Sequence, residues 1–387
     1  MTNNTVLYTD EAFFNFALSR YYRSEPDHFT FSKPLTDMNM EVVGSLKQTP
    51  VLDLSYTGDN ENFLVTFPEI RITAYDFTNG RRGQALTEVS LHQLRFSGKL
   101  ELNGGKFHLT SLEALPVEGE LEQLVVSAAN WIIIPLYGNE LMLLPLPDVK
   151  QLIGIPVDLI SFSVSHRVVQ VQAQLGISGE SIAPDIPLPG IQKPFVLAAI
   201  SEGGLNDLLQ FRHEFPLTKT ISESGGNWFG AWKVRATVTV SNPAISIVSG
   251  TASGTADVHV DASVVLKALG RWEDVPISVS FHSPKIGLHL YPDTSGKKAM
   301  LGFGLTEPLS LTFLLPDELQ SLPAPILSAL SPLSGYVTEE INQALKAATT
   351  SLFTLPDTIP GLNIAANLKF DSLGFANNAV AASVVAE

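Results

Sequence analysis

The chain has 387 residues, 45% hydrophobic and 16% charged, with 39 acidic against 24 basic residues, a formal net charge of −15 and no cysteine. The missing cysteine excludes disulfides, thiolate metal sites and cysteine nucleophiles. An acidic chain without a Lys/Arg cluster argues against nucleic-acid binding and against electrostatic adsorption to anionic membranes.

In chain order, Met1 to Tyr8 has neither a basic start nor a long apolar run, so no secretory signal is expected. Residues 10–23 predict an amphipathic helix: Asp10 is a cap, and Phe14, Ala17, Leu18 and Tyr21 follow at helical spacing. From about 28 to 113 the period falls to two. Leu52, Leu54 and Tyr56 alternate with polar residues, as do Phe63, Val65 and Phe67, then Ile70, Ile72 and Ala74. The run continues through Val89–Leu91, Leu94–Phe96, Leu100–Leu102 and Phe107–Leu109, with Asn103-Gly104-Gly105 as a hairpin signal. Residues 117–134 predict a second helix, with Leu121, Leu124, Val125, Ala128, Ala129 and Ile132 on one face. The apolar run Trp131–Ile134 is stopped by Pro135, and the next apolar stretch is broken by Glu140, Pro145 and Pro147, so no membrane span is expected. After Leu146-Pro147-Asp148, Ile160, Phe162 and Val164, then Val169, Val171, Ala173 and Leu175, alternate as paired strands.

Residues 182–195, with four prolines, predict a semi-stiff extended connector. A helix restarts at 201–211, and strands are expected at 231–240, 244–266, 275–281, 286–291 and 301–314. Residues 317–352 predict a longer helical region interrupted by Pro332, with Leu322, Ile326 and Leu330 before it and Val337, Ile341, Leu345 and Ala348 after it. Leu355-Pro356-Asp357 and a last hairpin close the chain.

These elements repeat. A gap-free match places Glu11 on Glu202, Phe14 on Leu205, Asn15 on Asn206 and Leu18 on Leu209. A second places Leu146-Pro147-Asp148 on Leu355-Pro356-Asp357, Ile155 on Ile364, Leu159 on Leu368, Val164 on Leu373, Val171 on Val380 and Ala173 on Ala382. Two matches in the same order predict a duplication into modules of about 190 residues. The expected layout is 1–181 as an N-terminal module, 182–195 as connector and 196–387 as a C-terminal module. The expected fold class is α+β, each module a highly curved antiparallel sheet wrapped around a long helix. Sequence leaves the interior open: filled like an ordinary core, or hollow around an apolar ligand.

Catalytic chemistry is not visible. There is no G-x-S-x-G elbow, P-loop, H-E-x-x-H or EF-hand loop. Gly302-Phe303-Gly304 reads as a kink or bulge in a strand rather than a dinucleotide loop. Asp257, His259 and Asp261 share one strand face and are the best metal-like pattern, but polar-out alternation favours a solvated face. His282 and His289 read the same way, and Glu118, Glu120 and Glu122 read as the acidic first turn of a helix. No catalytic residue, metal ligand or cofactor is assigned. Trp228 and Phe229, flanked by Gly225, Gly226 and Gly230, are either a packed strand start or an exposed aromatic pair for a membrane or protein partner.

The paired modules, the opening E-x-x-[FL]-N-x-x-L helix, the proline-rich connector and the closing LPD-to-strand segment resemble the TULIP superfamily. That group includes the bactericidal/permeability-increasing protein, related lipid-transfer proteins and bacterial members of clostridial toxin gene clusters. Glu202, Leu205, Asn206 and Leu209 resemble the start of the second module of these proteins, and Leu355–Val385 their closing segment. The likeness covers the whole chain as a layout and about 40 residues at motif level. It implies a non-enzymatic protein binding a lipid or another long apolar molecule in grooves between sheet and helix. The expected lining is Phe13, Phe14, Leu18, Leu124, Ala128, Leu205, Leu209, Ile341 and Leu345, which are equally the expected core. The alternative is a structural or interaction component of a bacterial toxin or secretion assembly with a filled interior. The animal members' disulfide is absent and no basic tip is present, which argues against lipopolysaccharide binding of their type. The simplest expectation for compartment is a soluble protein of a bacterial-type cytosol, with export by a signal-independent route left open.

Overall fold

The structure is a computed structural model that describes residues 3–56, 62–103, 106–115, 157–175, 184, 186, 194–211, 215–227, 230–268, 271–281, 284–308, 311–314, 333–359, 362 and 364–387. Up to Leu175 the described strands are β1 (Thr5–Asp10), β2 (Thr30–Leu35), β3 (Met40–Leu46), β4 (Val51–Asp53), β5 (Phe63–Thr78), β6 (Arg81–Asn103), β7 (Lys106–Ala114), β8 (Val157–Ser165) and β9 (Val168–Leu175). From Phe195 on they are β10 (Phe195–Ser201), β11 (Leu217–Asn227), β12 (Gly230–Val248), β13 (Thr251–Ala268), β14 (Arg271–Phe281), β15 (Lys285–Pro292) and β16 (Lys298–Leu305). The last six are β17 (Leu311–Leu314), β18 (Thr350–Thr354), β19 (Thr358–Ile359), β20 (Ile364–Ala365), β21 (Leu368–Ala376) and β22 (Ala379–Ala386). Three α-helices are described: α1 (Glu11–Ser24), α2 (Glu202–Phe211) and α3 (Leu333–Ala347).

The strands form three main sheets. An N-terminal sheet runs β2-β3-β5-β6-β7, with β4 added on β5. A C-terminal sheet runs β11-β12-β13-β15-β16-β18, with β14 added on β13 and β17 on β14. Between them lies a central sheet of order β21-β22-β10-β1-β9-β8. Among the described residues every pairing is antiparallel. β9 and β10 both flank β1, so strands from either side of the 182–195 segment share one sheet. The sequence pattern does not disclose this layout. It also passes over β1 and β10, which precede the two opening helices.

Strand alternation sets the faces. Val169, Val171, Ala173 and Leu175 of β9 are buried, while Gln170, Gln172 and Gln174 between them are partly exposed. On the same face of the central sheet lie Leu7, Ala198, Ile200, Val380 and Ala382, and they join one apolar core that continues into both outer sheets. The opposite face carries Val6, Phe195, Leu197, Ala199, Ala379 and Val385. Ile186 of the proline-rich segment packs on that face, so this segment is more than a spacer. Burying an isoleucine of this kind contributes about 1.5–3 kcal/mol.

Two expectations about local structure need correction. Gly302 is neither kink nor bulge: it sits in register opposite His289, and the irregularity in β16 falls at Ala299/Met300. A Cβ at Gly302 would meet the Tyr291 ring at 3.1 Å, so the glycine makes room for that ring. β11 gives no strand signal in the sequence, because Lys219, Ser222, Glu223 and Ser224 break any apolar alternation. The predicted helix over 117–134 lies outside the described residues. Of the predicted region 317–352, the part from Leu333 to Ala347 is helix and Thr350 onward is strand.

Candidate functional site

The two opening helices are held in the same way. Asp10 caps α1 by accepting from the Phe13 amide (2.8 Å), and Ser201 Oγ accepts from the Gly204 amide (3.3 Å). Glu11 Oε2 accepts from the Leu54 amide (2.8 Å), and Glu202 Oε2 from the Ile247 amide (2.7 Å). Asn15 accepts from the Leu52 amide (2.7 Å) and donates to the Leu52 carbonyl (2.8 Å). Asn206 accepts from the Ile245 amide (2.7 Å) and donates to the Ile245 carbonyl (2.9 Å). An asparagine side chain matches a peptide group as donor and acceptor at once, so each helix is clamped to a strand segment: β4 and its end in one case, the end of β12 in the other. The Glu and Asn that line up in the sequence thus do the same job in both places.

The closing hairpins also correspond, but in a different register. Glu11 donates its amide to the Arg167 carbonyl (2.9 Å), and Glu202 to the Asn378 carbonyl (2.8 Å). The hairpin β8–β9 has its irregularity between Leu159 and Ser161; β21–β22 has its own between Phe370 and Ser372. Both point to a shift of 211 (Arg167 to Asn378), whereas the sequence match used 209 (Leu146 to Leu355). Val380 therefore corresponds to Val169, not to Val171. A slip of two keeps every side chain on its face, which is why the pattern alone could not reveal it.

The helices sit on the core face of the central sheet. α1 lies against β1, β4, β10 and β20, and α2 against β9, β10, β12 and β22. Each helix thus touches strands from the other half of the chain. α3 lies against β11, β12 and β16. Ala173 of β9, Ala198 of β10 and Ala382 of β22 are buried in the core on that face. At Gly204 the approach is tight: a Cβ there would lie 3.1 Å from the Asn4 carbonyl oxygen. Asp10 also accepts from the Phe195 amide (3.0 Å), tying the first helix cap to the first strand of the second half. Burial pushes its carboxyl above the ordinary aspartate range, against the pull of the Phe195 and Phe13 amides.

The expected lining residues fall into three groups. Phe13, Phe14, Leu205, Leu209, Ile341 and Leu345 are 0–2% exposed and belong to the one continuous core. Leu18 is partly buried against it. Leu124, Ala128, Trp228 and Phe229 lie outside the described residues. Asp257, His259 and Asp261 are exposed, with Asp257 bonded to Asn242 (2.8 Å) and His259 to Asp261 (3.1 Å), as a solvated strand face requires.

A further apolar set lies on the two edge strands of the central sheet. On β8, Phe162 stands opposite Val171 and Val164 opposite Val169, so both point to the core face. On β21, Leu373 stands opposite Ala382 and Phe375 opposite Val380. All four are only partly buried, and each packs on the core. With the shift of 211, Phe162 corresponds to Leu373 and Val164 to Phe375. The signal in sequence is the Ser-Phe-Ser-Val-Ser alternation of β8, which marks a strand but not its place at a sheet edge.

Among the described residues no helix is long and apolar enough to cross a membrane. No family model and no curated protein sequence matches the chain. Its fold is similar to the crystal structure of a lipopolysaccharide binding protein, at 10% identity and a TM-score of 0.41, covering 100% of this chain and 99% of that one.

Proposed function

We propose that the chain is a tandem of two related α+β modules and a non-enzymatic binder of a lipid or another long apolar molecule. The observation that carries this reading is the apolar set at the edges of the central sheet. Phe162 and Val164 on one edge, and Leu373 and Phe375 on the other, extend the core face to where it is only partly covered. An acyl chain laid along such an edge would complete the burial of two large side chains, worth about 1.5–3 kcal/mol each. The site is thereby moved from the helix faces to the sheet edges. Phe13, Phe14, Leu205 and Leu209 act as packing struts that fix the helices.

A second reading has its own support. The near-zero exposure of the six helix residues is what a filled interior gives, because atoms facing an empty acyl-sized channel would be accessible. On that reading the chain is a structural or interaction component of a larger assembly. Uptake of a fluorescent fatty acid or phospholipid by the purified protein separates the two. Binding is expected, and Phe162→Ser with Phe375→Ser should weaken it about tenfold or more. No uptake leaves the filled-interior reading standing, and uptake indifferent to both substitutions in a folded protein would take the site away from the sheet edges.

A further inference from the structure

We draw no further inference here: the strongest candidate, the incompletely buried apolar patch of Ile72, Val89 and Leu91 where β5 and β6 face the core of the N-terminal sheet, carries nothing because nothing in the structure shows what covers it.

Discussion

The two opening helices do one job with different side chains, and the differences show which parts of the design are free. At the cap, Asp10 in α1 is replaced by Ser201 before α2; both accept from a helix amide, but only Asp10 carries charge and only Asp10 also reaches across to Phe195. Three residues on, a fully packed Phe13 is replaced by Gly204, which lets α2 approach the Asn4 carbonyl. What does not vary is the Glu and Asn clamp on the strand segments at Leu52–Leu54 and Ile245–Ile247. Cap chemistry and packing volume are exchangeable; the clamp that sets each helix against its own sheet is kept.

The largest expected effect tests the packing difference. Phe13→Ala should cost about 3–5 kcal/mol by emptying a filled site in the core. Gly204→Ala should change stability little, since the strand must give by tenths of an ångström while the helix gains up to about 1 kcal/mol from alanine. Urea unfolding of both variants checks the asymmetry. Comparable losses at the two positions would break it.

The next effect tests the likeness. Asn15→Ala and Asn206→Ala each orphan an amide and a carbonyl of one strand residue, a cost of about 2–4 kcal/mol. The two losses should agree closely, because the four hydrogen bonds match in pairs. A silent substitution in one half would mean that its clamp is ornamental there.

The smallest effect concerns charge at the cap. Burial raises the folded pKa of Asp10 above its unfolded value, so ionised Asp10 weighs against the fold. That penalty is absent below the unfolded pKa of about 3.9 and grows as pH rises through the folded value. Asp10→Asn keeps an oxygen for Phe13 and Phe195, so its melting temperature should gain on the parent between about pH 3 and pH 7. Ser201→Asn, which removes no charge, should run parallel to the parent. A parallel course for Asp10→Asn as well would show that the buried carboxyl carries no electrostatic strain.

Sequence makes one part of this comparison legible and hides another. α1 is readable to within a residue because Asp10, the apolar spacing and Glu11 agree. The Glu and Asn pair is readable as a repeat, though not as a clamp, since its partners lie 37 to 45 residues away in chain. β10 is invisible because Phe195 to Ser201 is buried on both faces and so lacks alternation, and β1 because the chain start gives too short a pattern. The hairpin register is misjudged by two because strand periodicity cannot tell such a slip. Helix residues such as Leu205 and Ile341 are readable as apolar and inward, but a filled and a hollow interior ask for the same side chains. Phe162 and Phe375 gain their interest only from standing on the two edges of a sheet built from both halves.

The apolar-ligand reading stands or falls on what the protein carries. Native mass spectrometry of the purified full-length chain, repeated after extraction with organic solvent, is the most direct measurement. Two corresponding edges predict species heavier than the bare chain by one and by two apolar molecules, both lost on extraction. A single species at the bare mass, unchanged by extraction and by incubation with fatty acid or phospholipid, would contradict it.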